Sequence, residues 1–334
     1  MIVGTWNLEN LYRPGGAFGP KDKITYEAKL ASLAATVTAL RPSVLGVQEV
    51  GDPAALEDLA GLLEGTWHVA LSRHADDRGI RVGFLTSFPV SVVADEAAFP
   101  GPVRPVQADD AGRTVSRAGR GILAVTVSTR AFFFDAVVCH LKSKLLSYPG
   151  GSPGSSAGGA SGGASGARFQ PRDEGERARY AAYALHRRAA EATTVRALAD
   201  RLLHGDGREH RVAVLGDLND EAGAATTQIP LGPPGSEIGT PGFDRPDKGD
   251  AARLWNVAPL IPPDQRFSRI HAGRRELIDH VLVSRGLLDQ VRTAGTGAPG
   301  AAAAALPSVA DGDPAVRRDA TGSDHAPVWI RIQP

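Results

Sequence analysis

Residues Arg211 to Asp220 read RVAVLGDLND, which places polar chemistry at the end of a buried strand. Val212, Ala213, Val214 and Leu215 form an apolar run of the kind covered on both faces of a sheet. Asp217, Asn219 and Asp220 follow directly after Gly216. Carboxylates and carboxamides at the end of such a strand are costly unless something pairs with them. On extended backbone Asp217 and Asn219 share a face, because side chains alternate along a strand. Taken alone, this pattern suits an Asx-type turn that closes the strand. The same event recurs, however. Polar clusters end apolar runs at Asn7, at Gln48 with Glu49, at His140 with Lys142, and at Asp324 with His325. Asp279 lies inside another run, on the face it shares with Leu277, Val281 and Val283, where an aspartate needs a partner. If these strand ends converge, the site combines carboxylates, carboxamides, histidines and a lysine. Oxygen-rich donors without cysteine favour a hard divalent cation, Mg²⁺ or Mn²⁺ with Ca²⁺ as a further candidate, over zinc. Cationic and hydrogen-bond-donating groups beside that metal suit an anionic substrate, phosphate above all.

The elements that must position these residues follow from spacing. Ile2 to Asn7 and Val44 to Val47 read as buried strands. Between them, Lys21 to Leu40 is a helix, with Tyr26, Leu30, Leu33, Val37 and Leu40 at helical spacing and Pro42 beyond its end. Asp52 caps a second helix, with Pro53 at its first position and Gly65 past its end. Trp67 to Leu71 and Ile80 to Thr86 read as paired strands around a charged turn with a structural role. Gly121 to Thr129 and Ala131 to Leu141 form a hairpin whose second strand ends in HLKSK, where His140 and Lys142 share a face. A long helix is predicted from about Asp173 to His204. Its buried stripe is Ala178, Ala182, Leu185, Ala189, Ala192, Val195, Ala199 and Leu202, and Arg177, Arg179, Arg187 and Arg188 fall on the remaining, solvated face. Leu277 to Ser284 is a further strand, and an alternating strand closes the chain after GSDHAP.

Two stretches are not expected to carry chemistry. Ser147 to Ala167 is almost wholly Gly, Ser, Ala and Pro, the composition of a disordered surface insertion. Its G-x-S-x-G matches, such as Gly150 to Gly154, lack the strand-to-helix context of a nucleophile elbow. Gly232 to Gly249 reads as a Pro/Gly-rich loop. The match of Gly295 to Gly300 to G-x-G-x-x-G contains Pro299 and lacks a strand-to-helix setting, so it is uninformative.

A chain of 334 residues with 42% hydrophobic and 22% charged residues is globular and can bury a core. Acidic and basic residues balance at 37 each, so no global positive field drives binding to nucleic acid, and any such affinity must come from a local patch. Arg172 to Arg188 and Arg266 to Arg275 are the arginine-rich stretches that could supply one. The lone cysteine, Cys139, excludes an internal disulfide and a cysteine zinc site, and reads as a small core residue. The N-terminus enters strand-like sequence without a basic and apolar leader, and no run is long enough to span a membrane. The expectation is a soluble, cytoplasmic protein; a mature secreted form stripped of its leader has the same look.

TWNLEN, VQEV, HLKSK, GDLND, LIDHVLV and SDHAPV, in this order, resemble the endonuclease/exonuclease/phosphatase superfamily, whose fold is that of deoxyribonuclease I. The resemblance runs from Thr5 to Val328. It implies one domain over residues 1–334, an α/β four-layer sandwich of two packed mixed β-sheets flanked by helices, interrupted by the insertion at 147–167. It implies metal-dependent hydrolysis of phosphate esters. Glu49 resembles the principal metal-binding glutamate, with Asn7 beside it and Asp324 completing the metal environment. Asp217 resembles the aspartate that orients or deprotonates the attacking water, and Asn219 the asparagine that holds that water or a phosphate oxygen. His140 and His325 resemble the phosphate-contacting histidines, with Asp279 orienting His325. The HLKSK form is closest to a branch of bacterial nucleases, which adds Lys142 and Arg188, with Asn7, as phosphate-binding candidates. The resemblance implies a Mg²⁺-dependent phosphodiesterase, an endonuclease with DNA or RNA as substrate partner. The alternative is a phosphatase or phosphodiesterase for a small-molecule or lipid phosphate ester. A silent binding protein on the same scaffold is disfavoured, because the carboxylates and histidines that the chemistry needs are all present.

Overall fold

The computed structural model describes residues 1–129, 132–150, 168–299, 306–310 and 313–333. Twelve strands build its two main sheets. In chain order they are β1 (Ile2–Leu11), β2 (Val44–Val50), β3 (His68–Leu71), β4 (Arg81–Thr86), β5 (Val90–Ala98) and β6 (Arg117–Ser128). They continue with β7 (Phe133–His140), β8 (Val212–Asp217), β9 (Trp255–Asn256), β10 (Asp279–Val283), β11 (Val291–Thr296) and β12 (Val328–Ile332). One sheet has the order β11-β12-β1-β2-β4-β3, the other β9-β10-β8-β7-β6-β5. Each is mixed. β1 runs parallel to β2 and antiparallel to β12, and β8 runs parallel to β7 and antiparallel to β10.

Alternation along the strands sorts the apolar residues into three cores. Val3, Val44 and Phe84 from the first sheet meet Val125, Val138, Leu215 and Val281 from the second. The opposite face of the first sheet, with Trp6, Leu45 and Val47, is covered by helices α1 (Lys23–Leu40) and α2 (Pro53–Gly61). The opposite face of the second, with Ile122, Val137 and Val214, is covered by α3 (Glu174–Leu203). The result is the expected α/β sandwich of four layers. The buried Cys139 packs in the core under α3, and burial pushes its thiol pKa up.

Helix boundaries follow their caps. The Asp22 side chain accepts from Thr25 N at 2.8 Å, so α1 begins at Lys23, two residues later than the apolar spacing suggests. Asp52 and Asp173 cap α2 and α3 in the same way. The α3 stripe departs from expectation in its first half. Ala192, Val195 and Ala199 are buried as predicted, whereas Leu185 is 45% exposed, and Glu176, Tyr180, Ala184 and Arg188 are buried instead. Only the second half of this helix lies on apolar strands. Its first half packs on polar loops, so apolar periodicity does not report the covered face there.

Most of the Gly/Ser/Ala insertion, residues 151–167, lies outside the described residues. Its first positions do not behave as a solvated linker. Tyr148 is 3% exposed, exchanges backbone hydrogen bonds with Arg168 at 2.9 and 2.8 Å, and packs against Tyr180 at 5.1 Å between ring centroids. One tyrosine in a run of small residues supplies the apolar area that the average composition hides. β5 also escaped the reading: it is an edge strand whose Ser91, Val92 and Val93 are exposed, so its sequence lacks buried alternation.

Candidate active site

The polar strand ends converge where the two sheets face each other. On the second sheet, Asp217 at the end of β8 is in register with His140 at the end of β7 and with Asp279 at the start of β10. On the first sheet, Asn7 of β1 is in register with Gln48 of β2, and Glu49 follows. On the other side of β1, Ser323 Oγ donates to Asn7 O at 2.6 Å and Trp6 Nε1 donates to His325 O at 2.8 Å. These bonds hold the Asp324–His325 segment against β1 just before β12.

Two contacts bridge the sheets. Asn7 Nδ2 donates to Asp217 Oδ2 at 3.1 Å and lies 3.4 Å from Glu49 Oε1. His325 Nδ1 sits 2.7 Å from Asp279 Oδ2, and Asp279 is 0% exposed. The aspartate on the apolar face of its strand has found its partner. Asp279 Oδ1 is buried without a hydrogen-bond partner among the described residues. His140 Nε2 lies 3.4 Å from Asp217 Oδ2, and its Nδ1 is likewise buried and unpaired. Four non-glycine residues at these strand ends, Glu9, Asn10, Glu49 and Asn219, have φ of 49°, 52°, 60° and 54°. Left-handed backbone costs free energy, most of all for the two glutamates, and such strain collects at functional sites.

Electrostatics divides the titratable groups into roles. Burial disfavours the His325 imidazolium, but Asp279 and Asp324 outweigh it and push the ring pKa up to about 10. His140 goes the other way: burial, then Arg120 and the His325 charge, hold it well below the ordinary histidine value, so it is neutral. Burial and the neighbouring Asp279 raise Asp217 to about 7. Burial works against ionisation of Glu49, but Arg78, Arg120, the Asn10 N–H (2.9 Å to Oε2) and His325 together hold it below its ordinary value. The site therefore offers an ionised glutamate, a base near neutrality and a permanent imidazolium.

Two donor sets could hold a cation. Among the described residues, Asp217, Asp279 and His325 bring one ligand atom each within 4.8 Å of one another. His325 is protonated and bonded to Asp279, so a cation there must displace that proton. The Glu49 carboxylate is held ionised and makes no direct ion pair among the described residues, with only the Asn10 N–H and the Asn7 Nδ2 on its oxygens. A carboxylate with no proton to displace suits a hard cation.

Other sequence candidates sit differently from the period-2 argument. β8 ends at Asp217, and Asn219 turns away in the left-handed region. Its N–H donates to Asp217 Oδ1 at 2.9 Å, an Asx turn, and its Nδ2 donates to Leu141 O at 3.0 Å. Lys142 lies beyond the end of β7. Its Nζ donates to Ser143 O, Ser143 Oγ and Leu145 O at 3.0–3.3 Å rather than sharing a direction with His140, and burial lowers its pKa to about 7. Arg188 does not lie on a solvated face: it is 5% exposed, donates to Lys142 O at 2.8 Å and lies 3.4 Å from Asp220. It fastens the loop that follows His140.

Three residues outside the motifs complete the site. Glu191 accepts from Lys142 N at 2.5 Å and from Gly119 N at 3.0 Å, pinning the loop after His140 and the start of β6 to α3. Arg78 and Arg120 come from the charged turn and the start of β6; Arg120 Nη2 lies 3.3 Å from Asp76, and its Nε is buried and unpaired. The turn read as structural thus sets the charge around Glu49. None of the three sits at the polar end of an apolar run, the pattern that marks the other site residues in the sequence.

Asp217 also makes a stability prediction. Its folded pKa lies above the unfolded carboxyl value, so its favourable contribution is complete below about pH 4 and is lost as the pH rises through about 7. In EDTA, Asp217→Asn should therefore narrow the fall in melting temperature between pH 5 and pH 8. An unchanged fall would mean that Asp217 ionises as freely as in the unfolded chain.

Solved structures with this fold include a mannosyl-6-phosphatase of Bacteroides thetaiotaomicron, 14% identical, covering 100% of this chain and 99% of that one at a TM-score of 0.53. Truncated TDP2 of Caenorhabditis elegans is 14% identical, with 98% and 95% covered and a TM-score of 0.51. The human nocturnin catalytic domain is 14% identical, with 99% and 93% covered and a TM-score of 0.50. No curated protein sequence matches the chain. The sequence pattern of the Endonuclease/Exonuclease/phosphatase family, however, matches residues 4–325, and with its strand-end site and four-layer sandwich the chain belongs to that family.

Proposed function

We propose that the protein is a Mg²⁺-dependent phosphodiesterase that cleaves DNA or RNA internally by attack of an activated water on phosphorus. Enzymes of the family are metal-dependent phosphoric ester hydrolases. The observation that carries the reading is the cross-sheet cluster: Asp217 near neutrality beside Asn7, facing the His325 imidazolium that Asp279 holds. Glu49 and Asp324, with the Asn7 carboxamide beside Glu49, would hold a divalent cation, which would supply Lewis-acid neutralisation of charge on the phosphoryl oxygens. Asp217 takes the proton of the attacking water, a task that suits a base titrating near the working pH. Asn7 and the Asn219 N–H each bond one oxygen of that carboxylate and fix its direction. His325 presents its second N–H, and neutral His140 one N–H, to the phosphoryl oxygens as charge develops.

A nucleic-acid substrate is supported by the order of motifs, and recognition would run through phosphates. The arginine-rich stretches contribute less than their sequence suggests. Arg177, Arg179 and Arg269 are each paired with Glu174, Asp110 and Asp324. Among the described residues no helix is long and apolar enough to cross a membrane.

The test compares supercoiled plasmid, RNA, bis-p-nitrophenyl phosphate and a sugar phosphate, each with Mg²⁺ and with EDTA. Mg²⁺-dependent nicking of the plasmid is expected, with a rate at subsaturating substrate that falls steeply as salt rises. A protein that spares both nucleic acids and hydrolyses only a small ester acts on small-molecule phosphates instead.

A further inference from the structure

Beside the catalytic cluster, a cavity of about 330 Å³ opens between α3, the loop that follows His140, and the hairpin around Asp109. Three tyrosines line it. Tyr148 and Tyr180 are buried, and Tyr180 meets Tyr183 edge-on at 5.5 Å between centroids. The Tyr183 hydroxyl donates to Asp110 Oδ1 and accepts from Gln107 Nε2, both at 3.1 Å, so its ring is fixed in direction. Lys142, Arg113 and Arg187 also line the cavity; Arg113 pairs with Asp109 and Arg187 with Glu191, both at 3.0 Å, and the Lys142 ammonium donates to the carbonyls of Ser143 and Leu145.

We infer that this cavity is a subsite for the nucleoside next to the scissile phosphodiester. The proposal deepens the nucleolytic reading above and rests on it. Size supports it: the volume is at the small end of ligand sites, enough for one base and sugar and too small for a duplex. Chemistry supports it as well. Any base has a face to lay against the half-buried Tyr183 ring, whatever its sequence. Position is the third support. Lys142 stands two residues after His140, and two residues of chain span at most about 7 Å, within the scale of one nucleotide. The Glu191 and Arg188 bonds to the Lys142 backbone hold that spacing fixed. A prearranged wall of this kind lowers the ordering cost of binding.

A purely structural tyrosine cluster would anchor the loop and treat all substrates alike. The discriminating experiment therefore uses two short single-stranded oligonucleotides, one carrying a base beside the cleaved bond and one abasic there. The wild-type protein should cleave the base-bearing strand with a kcat/KM on the order of tenfold higher, given what stacking on one aromatic contributes. Tyr183→Leu, which keeps apolar bulk on a half-buried helical position, should bring that ratio close to one, mostly through KM. Tyr183→Phe should restore the preference. If Tyr183→Leu keeps the wild-type ratio, or slows both strands equally, the subsite is overturned while the nuclease stands. If the wild-type protein cleaves neither strand but hydrolyses a small ester, the nucleolytic reading falls too.

Discussion

Glu49→Ala is expected to remove Mg²⁺ affinity and turnover together, with a rate loss on the order of 10³-fold. A bound cation contributes several kcal/mol of charge stabilisation to phosphoryl transfer, and each 1.4 kcal/mol is a factor of ten. Glu49 is held ionised without an ion pair among the described residues, with the Asn10 N–H and the Asn7 carboxamide on its oxygens. Arg78 and Arg120 hold it ionised without bonding to it, and they lose their counter-charge when it is removed. Glu49→Gln retains an oxygen donor and the bond from Asn10, so it separates lost coordination from lost charge; partial rescue by high Mn²⁺ is expected for Gln and not for Ala. Titration calorimetry with Mg²⁺ alone, beside the plasmid assay, checks both effects. Near-normal metal affinity in Glu49→Ala would move the cation to Asp217, Asp279 and His325, the other cluster of suitable ligand atoms.

Much of this site was legible because a polar residue in a buried apolar run breaks a rule that most sequences keep. Asp279 is the clearest case: its strand position demanded a partner, and His325 is that partner at 2.7 Å. Glu49, His140 and Asp217 were legible for the same reason, each at the end of a run. The four-layer architecture followed from the resemblance, and its helices from apolar spacing, with Asp52 as the one cap read from the sequence. Side-chain direction past the strand ends was not legible. Alternation holds only while the backbone stays extended, and Asn219 and Lys142 lie just beyond that limit. Arg78, Arg120 and Glu191 were illegible for another reason. Each acts through a contact with a segment far away in sequence, such as the Glu191 bond to the backbone of Lys142. Charged residues in a turn or on a helix look solvated until the segment that covers them is placed. Lys29 makes the point most sharply: it is 1% exposed within α1, and its ammonium donates to the carbonyl of Glu9.

Asp279→Asn is expected to keep the fold and the metal while slowing turnover on the order of 10²-fold or more, the usual loss for one positioned group. The native carboxylate is fully buried and holds the His325 ring at 2.7 Å. Burial disfavours the imidazolium, so the charges of Asp279 and Asp324 are what raise its pKa to about 10. An ionised ring so far above the ordinary histidine value contributes stability below about pH 6.5 that is lost as the pH rises through about 10. Replacing Asp279 by the neutral amide removes the larger of those charges. The alkaline limb of the pH–rate profile should then move from about 10 toward neutrality, and the thermal stability should begin to fall at lower pH. His325→Ala should be at least as damaging at every pH, because it deletes the donor itself. The double variant should be little worse than the worse single one, since groups that act as a unit are strongly non-additive. Four rates on one plasmid substrate close the cycle. Losses that multiply in full would mean that Asp279 and His325 serve the reaction separately, and an alkaline limb that stays in place in Asp279→Asn would mean that the carboxylate does not hold the proton on the ring.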